Sequence, residues 1–270
     1  MAIATKSQEG LKLLNWSLLL YLVSLVVGLV GSVAFVALAV TGRFNPTTAF
    51  AFVARIAVPT VLLSLVLVIL FFIGFFTLYS NRRELGPRHE RNMERSFLLF
   101  IGIIVAFVAV QAVVFVMFFM AFTSLIFPFD PGQPPQYLAL EELQRAVIPG
   151  ILVGQGLDIL FAFLVGLLLF FIVAALVTSQ LQSRLKLAAA LLVFGSVANV
   201  VTFITLTLTG SLIVPVFQNV TLIIPPPSMW YQYVIGSLLK SSLQIAAAFL
   251  FWRVYRTSYD IVRTTQTLAE

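Results

Sequence analysis

The stretch IPGILVGQGLDILFAFLVGLLLFFIVAALVT, residues 148–178, holds a single charged side chain, Asp158. A helix needs about 20 apolar residues to cross a hydrocarbon core, and this run exceeds that length. Five further runs have the same character, at 13–40, 56–78, 97–127, 188–214 and 231–252. The chain as a whole is 61% hydrophobic and only 10% charged, whereas soluble domains carry roughly 25% charged residues. Its mean hydropathy is +1.08. The expectation is an all-α, polytopic membrane bundle of six transmembrane helices forming one domain over 1–270, with 253–270 as a short tail. The first run is too long for a removable signal peptide and lacks a small-residue cleavage site, so it reads as a retained span.

Lysine and arginine placement sets the orientation, because cytoplasmic loops carry the excess. Twelve of the sixteen basic residues fall on one side of the six runs, three on the other, and Lys240 lies inside a span. Both termini are therefore expected in the cytoplasm of a multi-pass plasma-membrane protein. The basic side then faces anionic lipid headgroups, and the net charge of +6 requires no nucleic-acid partner. Its densest cluster, NRRELGPRHERNMERS, contains Gly86-Pro87, a break followed by a helix start. Glu84 with Arg88 and Arg91 with Glu94 stand at ion-pair spacing.

Inventory excludes much chemistry. The chain has no cysteine and one histidine, His89, so it offers no disulfide, no thiolate metal site and no imidazole pair for haem or zinc. No nucleophile elbow, zinc-protease pair or phosphate-binding glycine loop is present. A non-enzymatic protein without cofactors is expected. On the outer side, 127–147 is proline-rich and ends in a segment that reads as a surface helix, while 215–230 carries no charge and contains Pro225 to Pro227. Asn219-Val220-Thr221 matches the glycosylation acceptor pattern.

Within the fourth run Gly150, Gly154, Asp158, Ala162 and Gly166 recur every four residues, which stacks them on one helix face. The small residues predict a close helix-packing face, so Asp158 should point at protein. A lone charge there costs at least about 2.5 kcal/mol, and the partner by spacing is Lys240, on a sixth-span face with Gly236, Gln244 and Ala248. Counted inward from the outer ends the two depths agree. Counted from Thr178 and Arg253 they differ by about 10 Å.

The fifth run adds Ser196, Asn199, Thr202, Thr205 and Thr209, and the third adds Gln111, although hydroxyls often bond their own helix. Asp158, Lys240, Gln155, Asn199 and Gln244 thus sketch a polar site between spans four, five and six. Two functions fit it. One is translocation of an ion or small solute; the other is a non-catalytic structural or assembly subunit, with other membrane subunits or further copies of the chain as partners. A water cavity opening inward beside Asp158 favours the first, and a dry, packed pair beside exposed apolar grooves favours the second. Leu11-Lys12-Leu13 and Leu185-Lys186-Leu187 open spans that run in the same direction, so they do not mark the first helices of two inverted halves.

LKLAAALLVFGSVANVVTFITL, GFFTLYSNRRELGPRHERN and SFLLFIGIIV resemble segments of small, cysteine-poor, multi-span membrane proteins of archaea grouped as families of unknown function. The resemblance covers about two of the six spans. It implies an archaeal plasma-membrane protein and carries no site residue.

Overall fold

The computed structural model describes residues 6–40, 46–126, 140–208, 217–218, 221–222 and 227–267. They form six long α-helices: α1 (Lys6–Val40), α2 (Pro46–Ser80), α3 (Pro87–Ile126), α4 (Leu140–Ala174), α5 (Ser179–Leu208) and α6 (Pro227–Thr267). A 3-10 turn, Arg82–Leu85, joins α2 to α3, and a two-residue antiparallel ladder pairs Phe217 with Leu222 and Gln218 with Thr221. Three helices begin on proline, whose fixed φ suits the first helical position and whose missing N–H costs nothing there. Gly86 precedes one of them with φ of 93°, a conformation that a Cβ disfavours.

Among the described residues five helices are long and apolar enough to cross a membrane, over Lys6–Ala34, Val61–Ser80, Pro87–Val113, Gly156–Ala174 and Ser179–Thr202. Their outward faces expose large apolar side chains such as Val61, Leu98 and Phe115. On a soluble protein such surfaces are interaction sites; on a polytopic bundle they face acyl chains. Around the bundle the helices neighbour one another in the order α2, α1, α6, α5, α4, α3. The circuit closes between α2 and α3 through rings, with Phe75 to Phe100 at 4.8 Å and Tyr79 stacked on Phe97 at 4.3 Å.

The core gathers at one end. Leu11, Leu78, Met93, Val173, Leu185 and Tyr255, one from each helix in turn, belong to a single buried cluster. These positions lie near the start of α1, the α2–α3 and α4–α5 connections and the last third of α6, which are the segments that carry the twelve basic residues. Ser7 fastens the start of α1 there: its N–H donates to Glu84 Oε2 at 3.1 Å and its hydroxyl to the Asn81 carbonyl at 3.0 Å. Tyr255 of α6 donates to the Leu169 carbonyl of α4 at 2.8 Å. The Gln182 side-chain amide donates to the carbonyl of Ala174, which the end of α4 leaves without an intrahelical partner, and to that of Val177 in the α4–α5 connection.

Several sequence boundaries move. The run 148–178 ends as helix at Ala174, and 188–214 starts as helix at Ser179, so Arg184 and Lys186 stand on α5 instead of in a link. The segment expected as a separate surface helix is continuous with α4 from Leu140. Residues 253–267 prolong α6, with Tyr255 and Ser258 buried. The ion pairs in the basic cluster also differ from those the spacing offered. Arg83 pairs with Glu90 at 2.9 Å and Arg82 with Glu94 at 3.7 Å, because Glu84 is turned toward Ser7. Asn219, Thr209 and the proline-rich outer segments lie outside the described residues.

Candidate functional site: an ion pair between the fourth and sixth helices

Helices α4 and α6 both flank α5 and touch each other only sparingly. At one of these approaches Lys240 Nζ donates to Asp158 Oδ2 at 2.9 Å. The depth mismatch counted from the basic end shrinks because α4 stops at Ala174. Asp158 is then sixteen residues from its helix end and Lys240 thirteen from Arg253, a difference of about 4.5 Å at ~1.5 Å per residue. Both charges sit roughly 20 to 24 Å along their helices from the basic end at ~1.5 Å per residue.

The pair stands where the buried core stops. On α4 Gly166 is buried and Asp158, two turns further out, is not; on α6 Ala247 is buried and Lys240 is half-buried. The Asp158 side chain keeps 41% of its surface accessible and Lys240 keeps 25%. Tyr21 of α1 also lies within electrostatic reach of Asp158. Sequence spacing did not point to Tyr21, since α1 neighbours α6 only through the closed circuit of helices.

The other candidates separate into three groups. Gln244 reaches the same α5–α6 seam: its Cγ and the Lys240 carbonyl each lie 3.3 Å from where a Cβ on Gly195 would stand. Asn199 is half-buried one turn outward of Ser196, whose hydroxyl is buried without a hydrogen-bond partner. Gly236 meets Thr202 too closely to admit a Cβ. The hydroxyls of Thr202 and Thr205 bond the Ala198 and Val201 carbonyls of their own helix, and Gln111 is exposed. The Gln155 side chain lies outside the described residues.

The glycine face divides as well. Gly166 packs on Ala189 of α5, where an added Cβ would sit 2.9 Å from the alanine Cβ, and Ala162 packs against the core. A Cβ on Gly154 would meet no described residue within 4 Å, so among the described residues the close helix approach expected there is not made. Gly150 lies in α4, with its packing outside the described residues. A close backbone crossing of two glycines lies elsewhere: Gly10 of α1 and Gly74 of α2 cross so that a Cβ on either would lie 3.0 Å from the other's carbonyl oxygen.

Chemically, the arrangement is a carboxylate that accepts from an ammonium and retains open surface on the outward side of a closed core. Such a pair can exchange its internal partner for a cation at Asp158, an anion at Lys240, or a proton. Among the described residues no group of three or more His, Cys, Asp or Glu side chains is placed to hold a metal ion. Comparison of the chain with protein-family models, with curated proteins and with solved structures gives no significant match.

Proposed function

We propose that the protein is a non-enzymatic, six-span plasma-membrane protein, both termini cytoplasmic, that translocates an ion or small charged solute, with Asp158 and Lys240 as its intramembrane binding pair. The observation that carries this reading is the partial exposure of a contacting ion pair at a depth where lipid supplies no polar partner. A pair kept only to fix helix order is best sealed, since each accessible charge loses stabilisation when it faces hydrocarbon. Here 41% of the Asp158 side chain is open, which is the surface a hydrated ion needs to reach it. The buried core at the basic end would close one half of such a path, and alternating access requires one half to be occluded at a time. The archaeal resemblance fits a plasma-membrane location, and the basic end fits a cytoplasmic face against anionic headgroups.

The test is flux through the purified full chain in proteoliposomes carrying imposed gradients of protons, sodium, potassium or chloride. Wild type is expected to dissipate at least one gradient faster than empty vesicles, and Asp158→Asn to abolish that excess. Vesicles with wild type that leak no faster than empty ones for every gradient, or an Asp158→Asn variant that transports like wild type, would sink the reading. Recovery of the chain from its membrane only in fixed stoichiometry with other proteins would move the function to a subunit role.

A further inference from the structure

The first turns of α3 carry more positive charge than their neighbours neutralise. Glu90 and Glu94 are taken by Arg83 and Arg82. Arg88, Arg91 and Arg95 have no carboxylate within ion-pair distance among the described residues; the only hydrogen bond seen for the three is Arg91 Nε to the Pro87 carbonyl of its own helix at 3.5 Å. They are three and four residues apart, so they share one helix face. A solvated stripe on a convex helix would need no further account. This face instead lines a concavity of about 330 Å³ closed by Phe170, Phe171 and Ala174 of α4. Gln182 of α5 forms its end, held there by its bonds to the α4 carbonyls.

The cavity therefore has two chemistries. One wall presents three exposed guanidiniums, planar forks that match phosphate oxygens in bidentate geometry. The other wall presents half-buried phenylalanines at the boundary of the apolar part of α4. A free phosphate satisfies the first wall alone, whereas a phosphoryl group carrying a hydrocarbon chain satisfies both. We propose that this cavity is a binding site for the phosphoryl headgroup of an anionic phospholipid, whose chain runs outward along Phe170 and Phe171. The site lies at the basic end, about 18–24 Å along α4 from Asp158 at ~1.5 Å per residue, and does not depend on the transport reading.

Native mass spectrometry and thermal unfolding of the full chain test the assignment, with phosphatidylglycerol, zwitterionic phosphatidylcholine and inorganic phosphate as separate probes. Wild type is expected to retain phosphatidylglycerol through delipidation and to gain Tm with it, and to do neither with phosphatidylcholine. The triple variant Arg88→Gln, Arg91→Gln, Arg95→Gln should bind phosphatidylglycerol at least about tenfold more weakly, as loss of charge-assisted bidentate bonds implies. Its Tm in phosphatidylcholine alone should match wild type, which shows that it folds. A control with equal loss of charge outside the cavity, Lys12→Gln, Lys186→Gln, Arg253→Gln, should bind like wild type. Equal weakening in the two triple variants overturns the proposal in favour of diffuse surface charge. Inorganic phosphate that raises Tm as much as the lipid, and displaces it, overturns the lipid assignment in favour of a soluble phosphate ligand.

Discussion

Asp158 and Lys240 set a problem that neither residue solves alone. An unpaired charge this far into the bilayer costs at least about 2.5 kcal/mol on insertion scales, yet the contact between the two at 2.9 Å returns only part of it, since polar contacts between membrane helices average about 0.6 kcal/mol. The asymmetry makes a specific prediction for stability. Lys240→Gln leaves a carboxylate without its ammonium and should destabilise the bundle by about 1–2 kcal/mol, below the cost of breaking a fully buried pair because Asp158 is partly open. Asp158→Asn should act in the same direction. The double variant should lose less than the sum of the two, by about 0.5–1.5 kcal/mol, the signature of a direct pair. Thermal unfolding of the four chains in the same nanodiscs measures this cycle, and strictly additive losses would mean that the two side chains do not interact. Both residues were legible in the sequence because charge inside an apolar run is conspicuous. Tyr21 was not, since nothing within α1 marks an aromatic that falls within electrostatic reach of Asp158.

At the scale of helices, hydropathy reads where lipid lies and not where helix ends. All six helices were visible as apolar runs, but charged residues continue them: PRHERNMERS forms the first turns of α3 and SQLQSRLK those of α5, since arginine, glutamate, glutamine and lysine are good helix formers that need only water around them. Regular glycine spacing was equally half-informative. It names a face but not what stands opposite, so Gly154 and Gly166 share a stripe while only Gly166 meets a neighbouring helix. The Gly10–Gly74 crossing, by contrast, involves two isolated glycines on different helices, and no pattern within either helix announces it. These contacts predict opposite outcomes for one substitution. Gly10→Ala and Gly74→Ala force a methyl to 3.0 Å from backbone atoms and should each destabilise by about 1–3 kcal/mol, the range for overpacking a close contact. Gly154→Ala adds a methyl into open space and should be neutral or stabilising by up to about 1 kcal/mol through helix propensity. Unfolding midpoints of the three variants decide it, and a destabilised Gly154→Ala would place a neighbouring helix against that face.

For the whole molecule, convergence and charge point the same way. The start of α1, the α2–α3 turn, the α4–α5 connection and the end of α6 share one buried cluster, so these four segments lie on one side of any membrane the bundle crosses. They carry twelve of the sixteen lysines and arginines, and a bias of that size predicts a cytoplasmic location for the basic end. An even number of crossings follows only if α6 also spans, which its packing along α5 and α1 favours because a helix so flanked cannot lie flat on the surface. The absence of cysteine from the chain turns this into a clean experiment, since each introduced thiol is the only one present. Glu9→Cys, Arg83→Cys, Ser179→Cys and Thr265→Cys should all react with a membrane-impermeant maleimide only after the cytoplasmic face is opened. Asp130→Cys, in the long connection before α4, should react in intact cells. Labelling of Thr265→Cys from outside while Glu9→Cys stays protected would remove the sixth crossing. Asp158 and Lys240 would then no longer stand at matching depths on two spanning helices, and the transport path built on them would fall with it.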